Sequence, residues 1–258
     1  MIRDCRANRA EGWAYFISNY VPVTRTILTH YFQPDAAGRV MERILLALRQ
    51  PESSLFASVE PVPERPFVAE LRQHVLALAE RFEPAAAPEI TVDLETLATA
   101  LEPLSVVEKQ AAWLETMRYA PGQSGTLLRM APVTVEKIRE RAAELIRHKT
   151  DAWRRTLLWD NGLQLGRAAA ASSGSQCLPA KIFLDVLDGR STWRGREDME
   201  HHVRGCWHCI DRFCRLVEVV ELLRANRPLT GGEAEPLRKL FGVATEKRPA
   251  WKRLFGQA

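Results

Sequence analysis

The stretch that decides the fold of the C-terminal part of the chain reads His201-His202-Val203-Arg204-Gly205-Cys206-Trp207-His208-Cys209. Within it, His202, Cys206 and Cys209 stand at H-x3-C-x2-C spacing. On a helix, residues four apart lie about one turn apart on the same face, and the second cysteine follows three residues later. Three soft ligands that converge in this way predict a metal site.

A closed tetrahedral metal site needs a fourth ligand, and Cys177 is the candidate upstream of the motif. We expect zinc, held so that it staples neighbouring helices together. His201 or His208 could replace His202 as the ligand. The alternative interpretation is a helix with two incidental buried thiols. Cys214 is expected to be a small buried hydrophobe, although a spare ligand or a resolving thiol stays open.

The composition, 46% hydrophobic and 26% charged, is typical of globular proteins. No run approaches the roughly 20 apolar residues of a membrane span, and the N-terminus, with Arg3, Asp4 and Arg6, lacks the apolar core of a signal peptide. We therefore expect a cytoplasmic protein without membrane contact. Five cysteines, three of them close to histidines, favour reduced thiols on metal over a disulfide framework. The net charge of +4 is too small to indicate nucleic-acid binding by itself.

Apolar residues recur at helical spacing along nearly the whole chain, which predicts an all-α protein. Proline and alanine-serine tracts mark the expected linkers between helical domains. The tail carries apolar residues such as Leu237, Phe241 and Trp251 among basic ones, and this pattern predicts small amphipathic helices that need a partner surface. The predicted division is a first helical domain (1–83), a linker (84–91), a second helical domain (92–167), a linker (168–176), a metal-binding domain (177–227) and an amphipathic tail (228–258).

The second domain contains a pattern typical of a helix-turn-helix. Helices are predicted at 108–118 and 122–130, followed by a tight turn at 131–133 and a helix with Thr134 as its N-cap. The second helix of such a motif enters the major groove of DNA. An ordinary helical hairpin with a solvated charged face is the alternative. The candidate DNA-binding residues are Thr134, Lys137, Arg139 and Arg141.

The order of these segments resembles the extracytoplasmic-function sigma factors. Leu101-Glu102-Pro103-Leu104, Glu108-Lys109-Gln110 and the helix from Thr134 are similar to sigma region 4, and residues 13–48 are similar to the first regions of the sigma-2 domain. The resemblance implies a sigma-2-like helical domain, a sigma-4-like helix-turn-helix domain, and contacts with promoter DNA and core RNA polymerase. Arg39 and Arg43 stand where the clamp-binding helix of that family usually carries acidic residues. Residues 67–82 hold few aromatic side chains for the unpaired bases of a melted promoter.

The C-terminal segment resembles the zinc-containing anti-sigma domain. The resemblance implies zinc bound by Cys177, His202, Cys206 and Cys209, and a domain that contacts the sigma-like part of its own chain to control or stabilise it. Zinc could serve the fold alone or also act as a redox or metal switch. The alternative function is a degenerate sigma-like adaptor that does not initiate transcription and acts through protein-protein contacts. We expect no enzyme, because four protein ligands leave the metal no open position.

Overall fold

The computed structural model describes residues 1–243 except 51–53, 60–61, 85–87, 89 and 151–156. The described residues form helices and no strand, which confirms the all-α prediction. None of the described helices combines the length and the apolar character that crossing a membrane requires. The chain divides into two compact units, one formed by Met1–Glu83 together with Ala225–Ala258 and the other by Pro84–Arg224.

The first unit is a helical bundle closed by a helix from the far end of the sequence. Residues 10–32 form two helices, and Pro22 lies in the first turn of the second, where its missing N–H is tolerated. The helices of this unit are α1 (Ile2–Arg6), α2 (Ala10–Asn19), α3 (Val21–Tyr31), α4 (Pro34–Arg49), α5 (Ser54–Ser58), α6 (Glu64–Phe82) and α16 (Gly231–Leu240).

Aromatic rings fill the core of the first unit. Trp13 and Phe16 of α2 meet Phe56 of α5 edge to face, at centroid distances of 5.3 and 5.6 Å. Edge-to-face packing suits the ring quadrupoles and adds to the free energy of burial. Gly12 lets α1 lie directly against α2, since a Cβ there would come within 2.6 Å of the Asp4 Cβ.

The second unit holds both the helix-turn-helix segment and the metal segment. Residues 168–171 of the predicted linker are helical, and Ala169 is buried, so this tract continues the fold instead of separating two compact units. The helices of the second unit are α7 (Leu94–Ala100), α8 (Val106–Thr116), α9 (Pro121–Leu128), α10 (Pro132–Thr150), α11 (Leu157–Asp160), α12 (Gly162–Ala171), α13 (Ala180–Leu187), α14 (Trp193–Gly205) and α15 (Trp207–Ala225).

Helix α8 lies at the centre of the second unit and packs against α10, α11, α12 and α14. It begins at a capping box in which the Ser105 and Glu108 side chains satisfy each other's backbone N–H groups. Helix α12 starts directly against its other end. A Cβ at Gly162 would lie 2.0 Å from the Thr116 carbonyl oxygen, so only glycine fits this junction.

Candidate metal centre and helix-turn-helix surface

The structure brings the four predicted metal ligands together. The donor atoms of Cys177, His202, Cys206 and Cys209 all lie within 4.8 Å of one another. The Sγ atoms of Cys177 and Cys206 are 3.8 Å apart, and His202 Nε2 is 3.2 Å from Cys209 Sγ. A disulfide needs sulfurs about 2 Å apart, so these thiols are free. The cluster could bind a metal ion.

The ligands converge because the chain turns at Cys206. His202 lies in the last turn of α14, and Cys206 ends that helix with an extended backbone (φ −119°, ψ 99°). Cys209 then lies in the first turn of α15. Two short helical ends therefore meet at one corner, and each directs a ligand to the same point. Cys177 reaches this corner from the turn before α13.

Backbone dipoles surround the sulfur atoms. The Gly174 amide donates to Cys177 Sγ at 3.3 Å, and this hydrogen bond is the main cause that lowers the pKa of the Cys177 thiol. Burial raises the pKa of Cys209 to about 12. Its position in the first turn of α15 places helix N–H dipoles nearby, which favour negative charge. A cation at the cluster would offset the cost of burying the Cys209 thiolate.

The donor chemistry fits a soft or borderline metal ion. Three sulfurs and one imidazole nitrogen match ions that prefer thiolate and histidine, whereas calcium and magnesium prefer oxygen ligands. Four protein donors also complete a tetrahedral shell.

The residues that could have replaced these metal ligands lie outside the donor cluster. His201 is exposed, whereas His208 is buried and its Nδ1 atom lies 3.1 Å from the Ala169 carbonyl oxygen of α12. Cys214 is buried farther along α15 and lies outside the donor cluster. The structure thus selects His202 among the three histidines of the motif.

The metal corner packs against α8 through contacts that sequence reasoning missed. Lys109 Nζ donates to the Arg204 carbonyl oxygen at 2.8 Å, and the Trp113 and Trp207 rings lie 5.3 Å apart. Trp113 Nε1 also donates to Asp211 Oδ1 at 3.1 Å. Burial is the main cause that lowers the pKa of Lys109. The only sequence signal was the i,i+4 spacing of Lys109 and Trp113 on one helix.

Helices α9 and α10 form a close helix-turn-helix pair. Arg129 takes a left-handed conformation (φ 56°) after α9, and the Met130 amide donates to the Gly125 carbonyl oxygen at 2.8 Å. A Cβ at Gly125 would lie 2.6 Å from the Met130 carbonyl oxygen, so glycine permits this tight turn. Helix α10 begins at Pro132, which suits a first helical position. Thr134 is therefore inside the first turn of α10, not its N-cap as predicted.

Three of the four candidate DNA-binding residues lie on the surface of the second unit. Thr134, Lys137 and Arg141 are exposed. Arg141 is already paired with Glu108 of α8, with its guanidinium nitrogen 2.8 Å from a carboxylate oxygen. Three acidic residues share the exposed surface of α10, so its charge is mixed: Glu136, Glu140 and Glu144.

The prediction that Arg139 contacts DNA is corrected by its burial, with only 8% of the residue exposed. Its guanidinium donates to Ser124 Oγ of α9 at 2.7 Å and lies 3.8 Å from the Glu115 carboxylate of α8. Arg139 directly follows Ile138 and lies four residues after Val135, so it belongs to the edge of the apolar stripe of α10. Arg139 ties three helices together and is not available to a phosphate.

Glu115 is the acidic partner in this buried group. Burial raises the pKa of its carboxyl group to about 7, and the nearby Arg139 opposes that rise. Burial also lowers the pKa of Arg139. A half-buried carboxyl group of α8 thus lies beside Arg139, and burial moves its pKa toward neutrality.

No protein-family model, curated protein or solved structure matches the chain. Its function must be inferred from the metal cluster and the helix-turn-helix surface themselves.

Proposed function

We propose that the chain is a sigma-factor-like transcription regulator that binds promoter DNA through α9 and α10 and binds core RNA polymerase. The observation that carries this proposal is the α9–α10 pair. Its turn is closed by the Gly125–Met130 hydrogen bond, and Arg139 fixes both helices to α8. Thr134 and Lys137 then remain exposed in the first two turns of α10, where a recognition helix meets base edges and phosphates.

The metal in this proposal is zinc. A tetrahedral site with Zn–S bonds of about 2.3 Å places neighbouring sulfurs roughly 3.8 Å apart. The Cys177 and Cys206 sulfurs have this separation, 3.8 Å. Bound zinc would supply folding free energy, because the unfolded chain has no preformed site. Cys177, His202, Cys206 and Cys209 would hold the ion.

The metal segment would stabilise the DNA-binding segment through α8. Lys109 and Trp113 of α8 contact the α14–α15 corner, while the Ala111 carbonyl and Glu115 of the same helix contact Arg139 of α10. One helix therefore carries both sets of contacts. We infer that the segment 177–224 holds α8 in the position on which the recognition helix depends.

Salt-dependent binding to duplex DNA tests the DNA-binding part of the proposal. Phosphate contacts release counterions, so the affinity should fall steeply as salt rises. Lys137→Ala should weaken binding to all duplexes and reduce the salt slope by about 1. Arg194→Ala, at an exposed cation of α14, is the matched control and should change neither. Binding that ignores both salt and Lys137 would exclude α10 as the DNA-reading helix.

Co-purification with core RNA polymerase tests the other part. Full-length tagged protein from its own cells should bring the polymerase subunits with it in the presence of nuclease, which removes DNA bridging. Absence of polymerase under these conditions would reject the sigma-like function.

A non-initiating adaptor is the second candidate, and the surface of α4 favours it. Arg39 pairs with Glu83 at 2.9 Å, and the Arg43 guanidinium lies 4.3 Å above the Phe82 ring. Arg39 and Arg43 of α4 thus contact other residues of the first unit, and they keep positive charge on an exposed surface where a clamp-binding helix would carry acidic residues. Recovery of a different protein assembly, with no polymerase and no duplex binding, would favour this candidate.

A further inference from the structure

Helix α16 returns from the far end of the sequence to the first unit. Glu233 near its start pairs with Arg25 of α3 at 2.7 Å, and the Leu240 carbonyl oxygen at its end accepts from Arg49 of α4 at 2.6 Å. The Asn226 side-chain amide donates to the Asn19 carbonyl oxygen at the end of α2. Polar contacts therefore hold both ends of this returning segment.

One aromatic side chain anchors the segment. The Phe241 ring lies 4.7 Å from the Trp13 ring, and the Arg49 guanidinium lies 5.9 Å from the centre of Phe241. Only 3% of Phe241 is exposed. Gly242 follows with φ +64°, a conformation that suits glycine and turns the chain beside Arg49. Phe241 thus fills an aromatic pocket whose back wall is the core of the first unit.

The helix itself is held much less firmly than its anchor. Ala234 is its one buried residue, and Leu237 and Leu240 are half-buried. Pro236 interrupts the helix interior, where it removes a backbone hydrogen bond. The side chains of Arg25 and Glu233 are both 45% exposed, and ion pairs this exposed stabilise little. The segment is bound as a peptide ligand is bound, by one aromatic anchor and contacts at its ends.

We propose that the surface beneath α16 is a docking site for an amphipathic helix, and that α16 is an internal occupant which a helix of another protein can replace. The contacts define the partner. It carries an aromatic residue just after the helix end, a free helical carbonyl for Arg49, and an acidic residue about two turns earlier for Arg25. Occupation by α16 closes this surface, since the covalent connection keeps α16 at high effective concentration.

A labelled peptide with the sequence of residues 228–243 tests the proposal on the full-length chain. The peptide should bind Phe241→Ala chain at least about tenfold more tightly than wild-type chain, because the intact α16 competes for the same surface. The same peptide with alanine in place of phenylalanine should not bind either chain. Trp193→Ala, at an exposed aromatic residue of α14, is the control chain and should behave as wild type.

Glu233→Lys provides a second test that leaves the aromatic core intact. The reversed charge faces Arg25, so α16 should be weakened and the chain should bind the wild-type peptide more tightly than the unsubstituted chain does. Circular dichroism checks that both substituted chains stay helical. If the Phe241→Ala chain loses its helical structure, the peptide binding of the Glu233→Lys chain alone decides the test. Equal peptide binding to wild-type and substituted chains, or binding to neither, would overturn the proposal. The result does not depend on DNA or polymerase binding.

Discussion

Lys109 of α8 donates a hydrogen bond to the Arg204 carbonyl oxygen, which lies in the sequence between the candidate metal ligands His202 and Cys206. Only 4% of Lys109 is exposed. A buried ammonium is costly unless it keeps its hydrogen bonds, so this contact holds only while the α14–α15 corner stays in place. This hydrogen bond therefore couples the position of α8 to the α14–α15 corner that carries His202, Cys206 and Cys209.

Lys109→Met should therefore destabilise the second unit. Methionine keeps most of the apolar stem but leaves the Arg204 carbonyl without its donor, which costs about 1 to 3 kcal/mol. Urea denaturation of the full-length protein, followed by helical circular dichroism, measures the change. Lys181→Met, at an exposed position of α13, should change the stability by less than about 0.5 kcal/mol. Equal stability of both variants would show that the buried contact contributes nothing.

Removal of the metal should loosen more than the ligand segment. We expect purified protein to contain about one zinc ion per chain, and chelation should lower its melting temperature. Hydrogen exchange should then rise at α14 and α15 and also at α8, because Lys109 and Trp113 contact that corner. Hydrogen exchange that rises only within residues 177–209 would show that the metal does not stabilise α8.

Cys206→Ser should reduce the zinc content, whereas Cys214→Ala should retain it. Cys206 directly precedes α15 and Cys214 lies on it, but only Cys206 belongs to the donor cluster. Equal zinc loss in the two variants would contradict the ligand assignment.

Two glycines of α12 should respond in opposite ways to alanine. Gly162→Ala places a Cβ 2.0 Å from the Thr116 carbonyl oxygen, and backbone on both sides leaves little room to adjust, so the cost should reach about 1 to 3 kcal/mol. A Cβ at Gly166 would meet nothing within 4 Å. Gly166→Ala should stabilise the helix by up to about 1 kcal/mol. Thermal denaturation of the two variants measures the contrast, and a loss of equal size in both would refute it.

The pattern of the sequence predicted the metal ligands because their geometry is local. His202, Cys206 and Cys209 are brought together by one helical corner, and the structure added Cys177 as expected. The placement of Arg139 is less local, because the width of the apolar stripe of α10 depends on how α8 and α9 pack against it. Spacing puts Arg139 beside that stripe, but only the packing of α8 and α9 shows that its side chain is buried.

The return of α16 could not be predicted from spacing at all. The amphipathic pattern of the tail predicted a helix in need of a partner surface, and Phe241 meets that need against Trp13. The sequence separation between these two residues leaves no periodic signal. Residues 244–258, where the pattern continued with Trp251, lie outside the described part of the chain.

The Glu115 carboxyl should make the stability of the second unit pH-dependent. Its pKa rises from an ordinary value of 4.5 to about 7 in the folded protein, so between these values the folded chain holds a proton that the unfolded chain releases. The stability contributed by Glu115 is therefore fully present below about pH 4.5 and is lost as the pH rises through about 7. From pH 5 to 8 the loss should be about 2 kcal/mol.

Glu115→Gln isolates this group, because glutamine stays neutral across the range. The wild-type stability relative to this variant should fall between pH 5 and 8, and other titrating groups cancel in the difference. Denaturation series at several pH values measure it. A difference that stays flat, or that rises with pH, would mean that the Glu115 carboxyl is ionised throughout.

Lys137 and Arg139 lie two residues apart on α10 and should separate DNA binding from stability. Lys137 is exposed, so Lys137→Ala should weaken duplex binding while the free energy of unfolding changes by less than about 0.5 kcal/mol. Arg139→Ala removes the buried guanidinium that contacts Ser124 and Glu115, and polar groups left without this partner should cost about 1 to 3 kcal/mol. Urea denaturation and duplex titration on the same preparations compare the two variants. A stable Arg139→Ala protein that has lost only its affinity for DNA would place the Arg139 guanidinium at the DNA surface after all.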